Sequence, residues 1–395
     1  MIADRVRCER AARRPSRDGR PAHRARPSSW LTRNPPIAEP DGQTTSLSAD
    51  LHPLHRARHA PLAVGGLRMS QEFCHEPVML AEVLALLDGY DDGVVVDATL
   101  GGAGHASALL AAHPRLQLVG LDRDPDAVEA SRRRLAPFGA RARVHHARFD
   151  QLREVVEADL GASAPVVAVF FDLGVSSHQL DVAARGFSYR EPGPLDMRMD
   201  PGQPMTAAEL VNSASEAELA SLFAESGEDR FARRIARFIV ERRPLHTTSE
   251  LAEAVAAAVP VAARRRGHPA RRVFQALRIA VNEELGQLGD ALDDAIDLLV
   301  PGGRCVVLAY HSGEDRLVKA RFVHAATGGC TCPPGLPCSC GAVASVRLLT
   351  RGARKASAAE VAANPRAESA RLRAVERLAD AGGTADGPPR TGAGS

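Results

Sequence analysis

Lysine is nearly absent from this chain: of its 50 basic side chains, only Lys319 and Lys355 are lysines and the rest are arginines. That bias reflects a GC-rich genome more than a task. Long apolar runs are missing too. No stretch approaches the roughly 20 residues needed to span a bilayer, which argues against a helical membrane protein. No apolar segment of signal-peptide length follows the first arginines, so the expected location is cytoplasmic. Cysteines are few and mostly scattered. Cys8, Cys74 and Cys305 stand far apart, which excludes a secreted disulfide framework, and the other four fall between 330 and 340.

What remains is ordinary for a globular protein, with 45% hydrophobic and 25% charged residues in 395. The length suffices for two domains and a large core. The net charge of +2 conceals an asymmetry, because residues 1–68 carry 13 arginines against 6 acids and leave the remainder at −5. Contact with nucleic acid would therefore rest on local patches and not on net charge. Residues 1–68, rich in Arg, Pro, Ala and His without a sustained period, are expected to be a disordered leader. An upstream start codon or a mitochondrial transit peptide would each account for it, and the arginine bias favours the bacterial reading. Residues 381–395 are expected to be a disordered tail.

From residue 93 onward strand and helix alternate. Val94–Val96 ends at Asp97, Leu118–Leu121 at Asp122, Val166–Phe171 at Asp172, and Cys305–Ala309 runs to Tyr310 and His311. Short apolar runs separated by helical stretches predict a mostly parallel sheet covered on both faces. Ligands of such sheets bind at the carboxyl ends of the strands, so the three aspartates point at a site. About 130 residues separate Asp172 from the strand at 305, far more than one crossover needs. Residues 180–275 are expected to form an inserted helical domain for substrate recognition, with 69–179 and 276–380 making the main domain. Within the insertion Thr247 and Glu250 form a plausible capping box. Phe231, Ile235, Phe238 and Ile239 are placed on one helical face, and Arg230, Arg233, Arg234 and Arg237 on the other.

The turn Asp97-Ala98-Thr99-Leu100-Gly101-Gly102-Ala103-Gly104-His105 lets backbone approach a ligand closely. It lacks the G-x-G-x-x-G of a dinucleotide fold. Asp122, at the end of the next strand, can accept hydrogen bonds from both hydroxyls of a ribose. A nucleoside cofactor without pyrophosphate, such as S-adenosylmethionine, fits. Phe149, after a short strand near 143–146, reads from the residues alone as core.

The run Asp172-Leu173-Gly174-Val175-Ser176-Ser177-His178-Gln179-Leu180-Asp181, continued by Arg185-Gly186-Phe187-Ser188-Tyr189 and by Gly193-Pro194-Leu195-Asp196-Met197-Arg198-Met199-Asp200, resembles the signature of the bacterial 16S ribosomal RNA cytosine-N4 methyltransferases. So do His75-Glu76-Pro77-Val78-Met79-Leu80, Phe274–Ile279, Tyr310–Arg316 and Asn364–Ala367, in register over roughly residues 74–378. The resemblance implies a class I methyltransferase fold, Rossmann-like, with an inserted helical domain. It implies S-adenosyl-L-methionine as cofactor and a cytosine in the decoding region of 16S rRNA, within the small ribosomal subunit, as substrate; homodimerisation is left open. It carries cofactor contacts onto Ala103, Gly104, His105, Asp122, Phe149, Asp172 and Gln179, which turns Phe149 into an adenine neighbour. Ala103 and Gly313 depart from the pattern, standing where a glycine and a larger apolar residue are common.

An exocyclic amino group is a poor nucleophile because its lone pair is conjugated into the ring, so an acceptor for its protons helps transfer. Asp172 is the leading catalytic candidate; its other role would be to hold the methionine end of the cofactor. His311 is a weaker candidate, since a lone histidine after a strand is more often structural. Methylation at C5 would need a cysteine nucleophile, and the single Pro-Cys pair, Pro337-Cys338, lies inside the cysteine cluster. For Cys330, Cys332, Cys338 and Cys340 both zinc and reduced thiols in a loop remain open, and no metal is assigned. The arginine stripe and Arg264–Arg266 with Arg271 and Arg272 are candidate phosphate contacts. The competing functions are a nucleoside-cofactor oxidoreductase, disfavoured by the missing glycine motif, and a non-catalytic RNA-binding protein on a methyltransferase scaffold.

Overall fold

In the computed structural model the described residues are 77–228, 230–266, 268–333 and 339–379. The expectations for 1–68 and 381–395, and for Cys8, Cys74, His75, Glu76 and Cys338, lie outside them. Seven strands make one sheet: β1 (Gly93–Asp97), β2 (Leu116–Asp122), β3 (Ala142–His146), β4 (Val166–Asp172), β5 (Leu299–Ala309), β6 (Val346–Leu348) and β7 (Arg371–Arg377). Their order is β3-β2-β1-β4-β5-β7-β6. The first five are parallel, and β7 inserts antiparallel between β5 and β6. This is the mostly parallel, Rossmann-like sheet that the sequence led us to expect. β6 and β7 had no counterpart in the sequence reading. Arg371–Arg377 alternates arginine and glutamate with apolar residues, and its side chains become legible as a strand only once β5 is there to pair with.

Side chains alternate across the sheet as strand geometry demands. Val94, Val96, Leu121, Phe171 and Val307 pack on one face with Leu288, Leu292 and Ile296 of the helix Glu284–Leu298. Val95, Leu118, Phe170, Val306 and Leu308 pack on the other with Leu86, Leu109 and Leu110. Burial on both faces explains why these strands read as unbroken apolar runs. The chain passes from β3 back across β1 to β4, so the strand order reverses between β1 and β4. A crevice opens at that reversal, above the carboxyl ends of the strands.

A third core gathers Phe187, Leu195, Phe223, Ile235, Ile239, Leu251, Val255, Phe274 and Leu277. It draws on the segment after Asp181 and on the helices Ala207–Ser213, Glu216–Glu225, Ala232–Val240, Thr248–Ala258 and Ala270–Asn282. The last of these runs across position 275, where the insertion was expected to end, and its buried Ala276, Leu277 and Val281 belong to this core. The capping box forms: Thr247 Oγ1 accepts from the Glu250 N–H at 3.2 Å, and the Glu250 carboxylate accepts from the Thr247 N–H at 2.9 Å. On Ala232–Val240 the buried face is Ala232, Ile235, Ala236 and Ile239. Phe231 and Phe238, expected on that face, sit on its flank, half-buried. Arg230 lies over the Phe231 ring, and Arg234, Arg237 and Arg242 lie over Phe238, all within 4.8–5.8 Å of the centroids. At 100° per residue, positions 231 and 238 fall between the two faces, and cation–π contact holds them there. Among the described residues no helix is long and apolar enough to cross a membrane.

Candidate active site

Three strands deliver carboxylates to the crevice: Asp97 from β1, Asp122 from β2 and Asp172 from β4. All three line one cavity of about 1470 Å³. A small-molecule pocket measures roughly 300–1,000 Å³, so this one has room for a second reactant. Gly104, His105, Phe149 and Gln179 share its wall.

Asp97 is 3% exposed, and the Thr99 N–H at 3.2 Å donates to its Oδ1. Burial pushes its carboxyl up to about 8; the Thr99 N–H works against this, and the neighbouring Asp172 and Asp122 add to it. No cation is among the groups that act on it. Asp122 accepts the N–H of Gly101 on Oδ2 at 2.7 Å and that of Asp124 on Oδ1 at 2.8 Å. Burial raises it to about 6 against those two donors. Each of its oxygens keeps a second lone pair for a ligand. Desolvated carboxylates of this kind suit a ligand that brings hydroxyl donors and positive charge.

The glycine turn is held by its surroundings. A Cβ on Gly104 would meet Pro77 Cγ at 2.6 Å, so the residue must be glycine for the turn to close against Pro77. Ala103 adopts φ 57°, a left-handed conformation that costs an alanine roughly 1–2 kcal/mol. That is why glycine is the easier choice there. Ala103 is fully buried, its N–H donates to the Leu100 carbonyl at 2.8 Å, and it does not line the cavity. The turn reaches the cavity through Gly101, Gly102 and Gly104 instead.

Asp172 is held from three sides. Its N–H donates to Thr99 Oγ1 at 2.6 Å, the Tyr310 hydroxyl donates to its Oδ1 at 2.7 Å, and His105 Nδ1 lies 3.7 Å from its Oδ2. Because the Val78 carbonyl, 2.9 Å from His105 Nε2, can only accept, Nε2 carries the proton and Nδ1 faces Asp172. Burial and the adjacent Asp172 keep the Tyr310 phenol well above its ordinary range, so it remains a donor. Tyr310 was quoted in the sequence reading only as part of a motif; its partnership with Asp172, 138 residues away, is a product of β4 pairing with β5.

Gln179 caps its own short helix, accepting from the Ser176 N–H at 2.9 Å, and donates from Nε2 to buried Asp124 at 2.8 Å. Asp124 also takes Arg185 at 3.0 Å, and Arg185 donates on to the Met199 carbonyl at 2.7 Å. The signature run thus fastens the insertion to the sheet beside the cavity. Asp124 carries no sequence signal, and the role of Arg185 within its motif depends on this junction. Phe149 meets Phe171 edge-on at 6.3 Å while also facing the cavity.

His311 is a structural cap. Its Nδ1 accepts the N–H groups of Gly313 and Glu314 at 3.1 and 3.3 Å at the start of the helix Ser312–Thr327, and its Nε2 lies 3.1 Å from Glu314 Oε1. A Cβ on Gly313 would approach the His311 ring at 3.0 Å, so a larger residue there requires the ring to shift by a few tenths of an ångström. Burial acts to raise Glu314, but His311, Arg278 and the Tyr310 N–H together hold it below its ordinary value. Across the cavity the insertion contributes Tyr189, Arg190, Arg271 and Phe274. Tyr189 stacks on His268 at 4.7 Å and meets Phe274 edge-on at 5.8 Å. Of the described arginine candidates Arg271 lines the cavity; Arg272 is committed to Glu228, and Arg264 to the Val259 and Ala256 carbonyls. The stripe at 230–237 is exposed and lies outside the lining.

The model of the MraW methylase family matches residues 72–378, which takes in the whole sheet and the insertion. The chain belongs to that family. A ribosomal RNA small subunit methyltransferase H of Geobacter sulfurreducens is 52% identical over 312 residues, covering 78% of this chain and 99% of the relative. One of Saccharopolyspora erythraea is 52% identical over 315 residues, covering 78% and 94%, and one of Heliobacterium modesticaldum is 48% identical over 312, covering 78% and 99%. An rRNA methylase structure from Streptococcus thermophilus aligns at 13% identity over 76% of this chain and 94% of that one, with a TM-score of 0.34. In a methylase the cavity must admit a methyl donor and an acceptor together, which accords with its size.

Proposed function

We propose that this methylase transfers the methyl group of S-adenosylmethionine to the N4 amino group of a cytosine in 16S rRNA, acting on the small ribosomal subunit in the cytoplasm. The observation that carries the reading is the set of strand-end carboxylates lining one cavity, with the Asp97 and Asp122 carboxyls both raised by desolvation. The cofactor, when bound, supplies a methyl group made electrophilic by a positively charged sulfonium. Asp122 accepts the ribose hydroxyls, Phe149 borders the adenine, and Asp97 offers the cationic end its charge. Gly101, Gly102 and Gly104 let backbone approach.

Asp172 is the catalytic residue. The Tyr310 hydroxyl donates to its Oδ1 and fixes that oxygen in place. A carboxylate held this way would accept a hydrogen bond from the cytosine amino group and turn the nitrogen lone pair out of conjugation. It would then take up the single proton that the nitrogen sheds when its bond to the methyl carbon replaces the carbon–sulfur bond. Tyr189, Phe274 and His268 offer aromatic faces on the substrate side, and Arg190 and Arg271 offer charge for phosphate, the combination used to hold an unstacked RNA base. The test is to supply purified protein with radiolabelled S-adenosylmethionine and unmethylated small subunits, then digest the RNA and resolve its nucleosides by mass spectrometry. Label in N4-methylcytidine is expected. Label at C5 would overturn the assigned chemistry, and binding without label would favour the non-catalytic scaffold. If Asp172→Asn lowers cofactor affinity but leaves kcat intact, Asp172 holds the methionine end instead.

A further inference from the structure

The cysteine cluster lies away from the cavity, on the loop between the helix Ser312–Thr327 and β6. The neck of that loop is tightly closed. Gly328 packs so close to the Val343 backbone that a Cβ there would fall 2.4 Å from the Val343 carbonyl oxygen. The Ser345 N–H donates to the Ala325 carbonyl at 2.9 Å, and the Cys330 N–H to the Thr327 carbonyl at 3.2 Å. Past the neck the loop's described residues are half-buried or exposed, and Val343 is 72% exposed. Yet the Sγ atoms of Cys330, Cys332 and Cys340 all lie within 4.8 Å of one another.

We propose that Cys330, Cys332 and Cys340 bind a zinc ion that holds this loop together. A zinc–sulfur bond of about 2.3 Å places two sulfurs of a tetrahedral site about 3.8 Å apart. Cys330 and Cys340 stand at 3.6 Å, close to that spacing and far beyond the roughly 2.05 Å of a disulfide. Soft thiolates select zinc among the common divalent ions. The C-x-C pairs are tighter than usual zinc knuckles, but here Cys330 and Cys332 meet Cys340 from opposite sides of a loop whose ends already touch. The fourth position falls to a further donor such as water. Packing alone offers no reason for three thiols to converge on a loop that buries so little, and a shared ion does. The ion would pin the end of the helix Ser312–Thr327 to the edge strand β6. Its effect would be on stability, with the cofactor site untouched.

The experiment uses the full chain, purified without chelator under reducing conditions. Elemental analysis is expected to find one zinc per chain, and X-ray absorption to find three or four sulfurs at about 2.3 Å. Cys330→Ser and Cys340→Ser should each lose most of the metal. Removing zinc with a strong chelator should lower the thermal midpoint and leave S-adenosylmethionine affinity unchanged, and adding zinc back should restore the midpoint. Wild-type protein that contains no zinc and gains none on titration would overturn the proposal, whether or not the variants fold. So would a Cys330–Cys340 disulfide in the freshly purified chain, or a bound zinc with two or fewer sulfur ligands.

Discussion

Asp122 offers the sharpest test of the cofactor reading. In the ligand-free protein its carboxyl sits at about 6, because burial outweighs the Gly101 and Asp124 N–H groups that favour the charge. Hydroxyl donors from a ribose would favour the ionised form further, so cofactor binding should expel a proton wherever Asp122 is still protonated. Affinity must then fall as pH drops below about 6, approaching tenfold per pH unit. Asp97, at about 8, adds a second and higher break in the same direction, since a cation favours its ionised form too. Asp122→Asn retains the side-chain volume but loses the charge and sets an amide N–H₂ against one of the two backbone donors. The lost charge-assisted hydrogen bonds are worth about 1.5–3 kcal/mol, or roughly 10–100-fold in affinity. Calorimetry with S-adenosylmethionine across roughly pH 5 to 9 reads both effects. The variant should bind more weakly at neutral pH and lack the lower break while retaining the upper one. Wild-type affinity flat across this range, together with unchanged binding by Asp122→Asn, would remove Asp122 from the cofactor site.

Asp97→Asn should weaken cofactor binding yet stabilise the ligand-free protein. The folded carboxyl lies above its unfolded value, so the native state suffers no penalty below about pH 4 and an increasing one up to about pH 8; the gain in thermal midpoint should therefore be larger at pH 7 than at pH 5. Tyr310→Phe should lower kcat by tenfold or more, for a charge-assisted hydrogen bond of about 1.5–3 kcal/mol, with cofactor affinity changed far less; equal loss in both would assign the Asp172–Tyr310 pair to binding. Arg271→Ala should reduce the salt slope of RNA binding by about one unit, and the double change Arg233→Glu with Arg237→Glu measures whether the exposed stripe, outside the cavity, contributes as well. A chain starting at Met69 should fold and methylate like the full one, as the family match begins at residue 72; loss of cofactor binding would refute that.

β1, β2 and β4 were legible because each is buried on both faces and so appears as an apolar run closed by an aspartate. Local chemistry also announced the glycine turn and the Thr247 cap, and resemblance to a family marked the Asp172–Asp200 run. β6 and β7 escaped because they are short or richly charged, and their strand character comes from pairing with β5 and each other. The flank position of Phe231 and Phe238 escaped because periodicity assigns faces but not the cation–π contacts that occupy the edge between them. At the site, sequence order marked Asp97, Asp122 and Asp172 as strand ends. Tertiary structure decided that they share one cavity, that Asp97 is the most desolvated of the set, and that His311 spends its ring capping a helix. It decided too that Tyr310 reaches Asp172 and that three thiols meet across a closed loop. Strand and turn preferences act over a few residues, and a chain reads them from its own neighbours. Burial, charge neutralisation and the meeting of side chains 138 residues apart are set by which strands lie side by side.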